Sequence, residues 1–98
     1  MAVTDIGTLI TRTPDIRGGR PRIAGTGVTV RRVAALHQEG ASADQVAERI
    51  GHVTLAQVHA ALAYYYANRE EIDTDLAREA AEYERLERQH TAPPDRQQ

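Results

Sequence analysis

Arginines are the residues in this sequence whose type and spacing most clearly suggest chemistry. The chain has 98 residues and 12 cationic side chains, all of them Arg. Residues 1–38 carry a net charge of +4, whereas residues 39–98 carry −6. Cationic surfaces that neutralise phosphates supply most of the non-specific affinity of DNA-binding proteins. The sequence therefore predicts a phosphate-contacting face, with a solvated surface as the competing interpretation. Its candidate residues are Arg17, Arg20, Arg22, Arg31 and Arg32.

Catalytic and metal-binding patterns are much weaker. The chain has no Cys, which excludes disulfides, thiolate metal sites and Cys nucleophiles. No two of its four His residues lie at the i,i+3 or i,i+4 spacing that brings metal ligands together on a helix. The sequence also lacks a Ser-His-Asp order, a nucleophile elbow and a P-loop. We therefore expect no enzymatic activity, no metal and no cofactor.

The N-terminal third has the composition of strands and turns. Residues 6–30 are rich in Thr and β-branched residues and are divided by Pro14 and several Gly residues. From Val30 the apolar spacing becomes helical. We therefore predict a mainly α protein: a short N-terminal β-hairpin or ribbon, a trihelical helix-turn-helix domain and a C-terminal helix.

Capping patterns place the helices of the predicted helix-turn-helix. Gly40 ends the first helix, Ser42 and Gln45 form a capping box for the second, and Thr54 with Gln57 does the same for the third. Apolar residues on the third helix repeat at helical spacing. They are Leu55, Val58, Ala61, Leu62 and Tyr65.

The third helix is the candidate reading helix for double-stranded DNA. Thr54 and Gln57 lie in its first turn, where Gln side chains can pair with adenine in the major groove. Arg49, just before the turn, is a candidate phosphate clamp. The helix has no cation of its own before Arg69, so a purely structural role in a trihelical bundle is an equal alternative.

Residues 69–90 form a separate predicted segment, an exposed amphipathic helix. Asp73 and Asp75 are expected in its N-terminal turn. A narrow apolar strip runs along it, which suggests docking in a groove of a partner. The strip residues are Leu76, Ala80, Tyr83 and Leu86. Residues 91–98 are polar and contain Pro, so we predict a disordered tail.

Residues 14–65 also carry a family pattern. Gly18-Gly19, Pro21, Ile23 and Gly25-Thr26 match a GG-x-P-x-I-x-GT core. In this pattern the chain resembles the prokaryotic domain-of-unknown-function family four-three-three, small proteins described as antitoxins and often encoded beside a PIN-superfamily ribonuclease toxin. The family commonly places Arg after the Gly-Thr pair, where this chain has Gly27.

The resemblance implies a type II antitoxin that dimerises, represses its own operator DNA and binds a PIN-like toxin directly. Residues 1–68 would form the DNA-binding head. The alternatives are a protein–protein interaction module without DNA affinity and a stand-alone transcriptional regulator. Without an apolar run long enough to span a membrane or a visible signal peptide, we expect a cytoplasmic protein with no membrane partner.

Overall fold

The computed structural model describes residues 3–90, except for the side chain of His90. Two short strands, β1 (Ile10–Thr11) and β2 (Arg22–Ile23), pair antiparallel, with Ile10 opposite Ile23. Four helices follow: α1 (Val30–Gln38), α2 (Ala43–Ile50), α3 (Leu55–Ala67) and α4 (Arg69–His90). The predicted mainly helical architecture with an N-terminal hairpin is confirmed. The predicted disordered tail, residues 91–98, lies outside the described residues.

Local hydrogen bonds explain where the helices begin and end. The predicted capping boxes of α2 and α3 are both present, with Ser42 and Thr54 as the N-caps. The Thr29 side chain accepts a hydrogen bond from the Arg32 backbone and so caps α1. Gly51 ends α2 with a φ of 91°, in the left-handed region that only glycine adopts at low cost. These caps satisfy backbone groups that the helix ends otherwise leave unpaired.

The core is small and made of β-branched and small residues, with one aromatic ring. Tyr65 is 2% exposed and Val58 is fully buried, so both face inward as their spacing predicts. Leu55 departs from this pattern, since it is 42% exposed. The largest fully buried side chains are Tyr65, Ile23, Ile72, Val30, Val33, Val46 and Val58.

Helix α4 starts inside the head and then leaves it. Asn68 separates it from α3, with backbone angles of −135° and 44°, and its side-chain amide donates to the carbonyl of Tyr64 at 3.0 Å. Ile72 is 1% exposed, so the first turn of α4 contributes to the core. Residues 77–89 are all exposed, and the molecule extends over 69 × 28 × 23 Å.

Candidate binding surfaces of the head and the projecting helix

Acidic residues of α4 bind the arginines of the N-terminal half. Arg20 Nε lies 2.7 Å from Asp75 Oδ2, and Arg31 contacts both Asp75 at 3.3 Å and Glu79 at 3.1 Å. Arg12 forms a further ion pair with Glu71. The opposite charges of the two halves of the sequence therefore meet within the chain, along the side of α4 that faces the head.

Asp75 is the centre of this network. Burial by itself raises the pKa of its carboxyl group, but the hydrogen bonds and charges of Arg20 and Arg31 outweigh burial and hold the pKa below its ordinary value. The hydrogen bond to Asp75 also raises the pKa of Arg20. The expectation that Asp73 and Asp75 occupy the N-terminal turn of α4 is wrong, because Glu70 and Glu71 lie there.

Arg22 is buried in the ribbon. It is 8% exposed, and its guanidinium donates to the carbonyl of Thr26 at 2.8 Å and to the hydroxyl of Thr13 at 2.9 Å. Since the side chain braces the turn between β2 and α1, the structure removes Arg22 from the predicted DNA surface. Arg20 and Arg31 are more accessible, but a phosphate would have to displace α4 carboxylates to reach them.

Arg17 and Arg32 both line a cleft at the start of α1. The cleft has a volume of about 390 Å³ and also borders Gly27 and Arg31. Arg32 is exposed and, within residues 3–90, forms no ion pair with a carboxylate. These two arginines are therefore the most available cations of the predicted phosphate-contacting set.

Gly27 gives Arg17 its position. The Nε of Arg17 donates to the carbonyl oxygen of Gly27 at 3.0 Å. A Cβ at position 27 would lie 2.8 Å from Nη2 of Arg17, closer than real Cβ contacts. The absence of a side chain at Gly27 therefore lets the Arg17 guanidinium lie directly over the backbone.

The predicted base-reading residues have a structural role as caps. Oε1 of Gln57 accepts from the Thr54 backbone at 2.7 Å, and Oγ1 of Thr54 accepts from the Gln57 backbone at 3.1 Å. Arg49 is exposed, 4.0 Å from Glu39 at the end of α1. The structure brings Thr54 and Gln57 together but places no cation beside them on α3.

The hydroxyl groups of three consecutive tyrosines of α3 form hydrogen bonds with other elements. The hydroxyl of Tyr65 donates to Asp73 at 2.9 Å and accepts from Gln38 at 2.7 Å. The hydroxyl of Tyr66 lies 2.5 Å from Nε2 of His37, and the hydroxyl of Tyr64 accepts a hydrogen bond from the guanidinium of Arg12. Sequence spacing predicts that Tyr65 is the core ring. It gives no sign of these hydroxyl partners, which come from other elements.

The predicted partner-binding strip begins in the head and continues beyond it. Leu76 packs partly buried against the core. Ala80 is exposed, and Tyr83 and Leu86 are 67% and 41% exposed. The strip beyond Leu76 therefore presents apolar surface on a helix that has left the fold, as its sequence pattern predicts.

A groove lies beside this strip, between α1 and α4. It has a volume of about 550 Å³, and Ala35 and Gln38 of α1 form one side while Leu76, Ala80 and Tyr83 form the other.

Glu82, further out on α4, is ion-paired to Arg85, and the hydrogen bond from Arg85 lowers the pKa of the Glu82 carboxyl group. The acids of α4 are therefore largely paired within the chain.

The two strands, the three packed helices and the projecting α4 define a small, mainly helical protein. Within residues 3–90, no helix is long and apolar enough to cross a membrane.

Residues 10–65 match the family described as "Protein of unknown function (DUF433)", and the chain belongs to that family. It is similar to the crystal structure of a DUF433 member from Anabaena variabilis ATCC 29413. That similarity has a TM-score of 0.67 and 33% identity, and covers 71% of this chain and 69% of the other. No curated protein matches.

Proposed function

We propose that this chain is the antitoxin of a type II toxin–antitoxin pair and that it holds a PIN-like ribonuclease inactive by direct binding through α4. The observation that carries the proposal is the apolar strip, which starts in the core at Leu76 and runs on through Ala80 and Tyr83 after α4 has left the head. Apolar residues at this spacing are how an amphipathic helix docks in a groove. An exposed Tyr is also a common interface anchor.

Electrostatics has a limited role in this docking. Residues 77–89 carry four Glu and three Arg, and Glu79 and Glu82 are already ion-paired within the chain. The affinity therefore comes from burial of the strip more than from attraction between an acidic helix and a basic toxin surface. We expect the toxin affinity to depend only weakly on salt.

The partner can be identified by gene context. A reading frame for a PIN-like ribonuclease beside this gene is expected, and its absence contradicts the antitoxin assignment in favour of a stand-alone regulator. That ribonuclease is then the probe for binding. We place both proteins in the cytoplasm.

Docking is tested with Tyr83→Glu and with a matched control, Ala81→Glu. Both positions are exposed on the projecting half of α4, but Ala81 lies on the side away from the strip. Tyr83→Glu is expected to weaken toxin binding at least tenfold, as measured by calorimetry, and to release ribonuclease activity. Equal affinities for the two variants and the unmodified chain would contradict docking through the strip.

A shortened chain tests the same proposal without a new charge. Ending the chain after Ala77 removes the projecting half of α4, including the ion pair between Glu79 and Arg31, and keeps Ile72 and Leu76. We expect the shortened chain to lose toxin binding. Its far-ultraviolet circular dichroism signal per helical residue is expected to stay unchanged. Full affinity of the shortened chain would place the toxin contact on the head.

DNA binding is the second candidate function. It is favoured by Arg17 and Arg32, which form no ion pair with a carboxylate of residues 3–90. In it a homodimer contacts the phosphates of its own operator and acts as an autorepressor. The alternative is a protein-binding module without DNA affinity. An electrophoretic shift of the gene's promoter fragment at two salt concentrations separates them, since phosphate contacts weaken steeply with salt.

Single substitutions sharpen the DNA test. Arg32→Ala is expected to weaken the shift and reduce its logarithmic salt slope by about one unit. Arg88→Ala, on the free end of α4, is the matched control and is expected to have no effect. No shift at low salt, or equal effects of the two variants, contradicts DNA binding at the α1 cleft.

A further inference from the structure

A further pocket lies on the ribbon, next to the cleft at the start of α1. It has a volume of about 640 Å³ and is lined by residues 15–17, by Arg22 and by residues 25–27. Pockets that hold small organic ligands commonly have volumes in this range. We call it the ribbon pocket. The docking of α4 described above does not involve it.

Arg22 brings a buried positive charge to the ribbon pocket. The residue is 8% exposed and forms no ion pair with a carboxylate of residues 3–90. Its hydrogen bonds go to neutral oxygens of Thr26 and Thr13, and its Nε is buried without a hydrogen-bond partner among the described residues. Because a guanidinium stays charged, burying it without an opposite charge is costly. An anion in the pocket would lower that cost.

Arg17 is the second cation of the ribbon pocket, and its backbone is strained. Its φ is 53°, and within residues 3–90 it is the only residue other than glycine with a positive φ. A side chain in this region costs on the order of 1 kcal/mol. Such strain is common at binding sites, where the surrounding structure holds a residue in place. Here the strained residue carries a guanidinium that lies over Gly27, at the wall of the pocket.

Asp15 is the one acidic residue of the pocket lining. It forms no ion pair with a cation of residues 3–90, although two arginines line the same pocket. Two arginines against one aspartate leave the lining with a net positive charge. Asp15 is therefore not the counter-ion of Arg22, and the buried charge of Arg22 remains to be matched by a ligand.

The lining favours a ligand with a phosphate group. Guanidinium groups bind phosphate through strong, charge-assisted hydrogen bonds. A glycine lets a ligand approach the backbone closely, and at Gly25 a Cβ would find no other heavy atom within 4 Å. The pocket is larger than a phosphate ion, and Ile16, which is 39% exposed, adds apolar surface for the rest of a small molecule.

We propose that the ribbon pocket binds the phosphate group of a small phosphate monoester through the charges of Arg17 and Arg22. The proposal is independent of the proposed function, because it uses no residue of the α4 strip. Arg22 also lies outside the predicted DNA surface. Arg17 is shared with the second candidate function, so the experiments distinguish a small monoester from the phosphates of DNA.

Calorimetric titration of the full chain with glycerol 3-phosphate, at constant ionic strength, is the first test. One binding site per chain is expected. Arg17→Gly is expected to weaken binding at least tenfold and to stay folded, since glycine adopts a positive φ without strain. Arg49→Ala removes an exposed arginine outside the pocket and is the matched control, with unchanged affinity. No binding by the unmodified chain, or equal losses in the two variants, overturns the proposal.

Asp15→Asn tests the balance of charge in the pocket. The substitution removes the one negative charge of the lining and is expected to tighten glycerol 3-phosphate binding about threefold, without changing the urea midpoint of the ligand-free chain. Unchanged or weaker binding overturns the proposal. A lowered urea midpoint would make Asp15 the counter-ion of Arg22 and would overturn the unmatched charge from which the proposal is argued.

Two further measurements separate the monoester from DNA. Arg32 lines the neighbouring cleft but not the ribbon pocket, so Arg32→Ala is expected to keep its affinity for glycerol 3-phosphate. Dimethyl phosphate, a diester like the DNA backbone, is expected to bind at least threefold more weakly than the monoester, because it carries a single negative charge. Loss of binding in Arg32→Ala, or equal affinities for the two esters, assigns the contact to DNA phosphates and overturns the proposal.

These titrations contain neither the ribonuclease nor DNA. Failure of toxin binding through α4 therefore leaves their result unchanged. Likewise, absence of phosphate binding leaves the proposed function untouched, because Tyr83→Glu tests that function on the other side of the molecule's sequence, in α4.

Discussion

The Nε of Arg20 donates a hydrogen bond to Oδ2 of Asp75 at 2.7 Å, across 55 residues of sequence. Arg31 binds the other carboxylate oxygen of Asp75. One carboxylate thus joins the ribbon, α1 and α4, and the charge difference between the two halves of the chain becomes an internal contact.

Asp75→Asn is expected to reduce the free energy of unfolding by about 1 kcal/mol, because two guanidinium groups lose their charged partner at a site that water partly screens. Urea denaturation measures the change. Glu84→Gln on the exposed half of α4 is the matched control and should leave the urea midpoint of unfolding unchanged. Equal effects of the two substitutions would show that the Asp75 network contributes nothing specific.

The same carboxylate makes stability depend on pH. Because the pKa of Asp75 is lowered in the folded state, its contribution is complete above the ordinary carboxyl pKa of about 4 and is lost as the pH falls through the folded value. We therefore expect the urea midpoint to fall less steeply with decreasing pH in Asp75→Asn than in the unmodified chain. Urea denaturation at neutral pH and at several acidic pH values measures this. Parallel curves would contradict the lowered pKa.

Gly27→Ala is expected to displace the guanidinium of Arg17, since the new Cβ would lie 2.8 Å from Nη2. The expected loss is small, roughly 0.5 kcal/mol, because a flexible side chain can move aside. In an Arg17→Ala background the same substitution should cost nothing. A double-mutant cycle by urea denaturation measures this coupling, and additive effects would show that the two residues do not interact.

Tyr65→Phe removes the hydroxyl that links Gln38 of α1 to Asp73 of α4. We expect a loss of about 1 kcal/mol in unfolding free energy, typical of a partly buried hydrogen bond. Tyr83→Phe, which removes a hydroxyl from an exposed ring, is the control and should be neutral. If both substitutions were neutral, the tyrosine hydroxyl would have no part in holding α4.

Local signals in the sequence predict much of the fold. The capping boxes of Ser42 and Thr54 depend on residues three positions apart, so they are visible without tertiary structure. The charge pattern is harder to interpret, because whether an arginine meets a phosphate or a carboxylate of its own chain depends on where α4 packs. Ile72 extends the helical spacing of Leu76, Ala80 and Tyr83 by one turn, but that spacing does not show that Ile72 is buried in the core whereas Tyr83 is exposed.

The projecting half of α4 also affects how the molecule moves through solution. A particle 69 Å long and 28 × 23 Å across experiences more friction than a sphere of 10.8 kDa. A single chain will therefore elute early from a sizing column, at a volume that a globular standard would assign to a larger species. Mass must be taken from light scattering or sedimentation, where an elongated monomer and a true pair of chains are distinct.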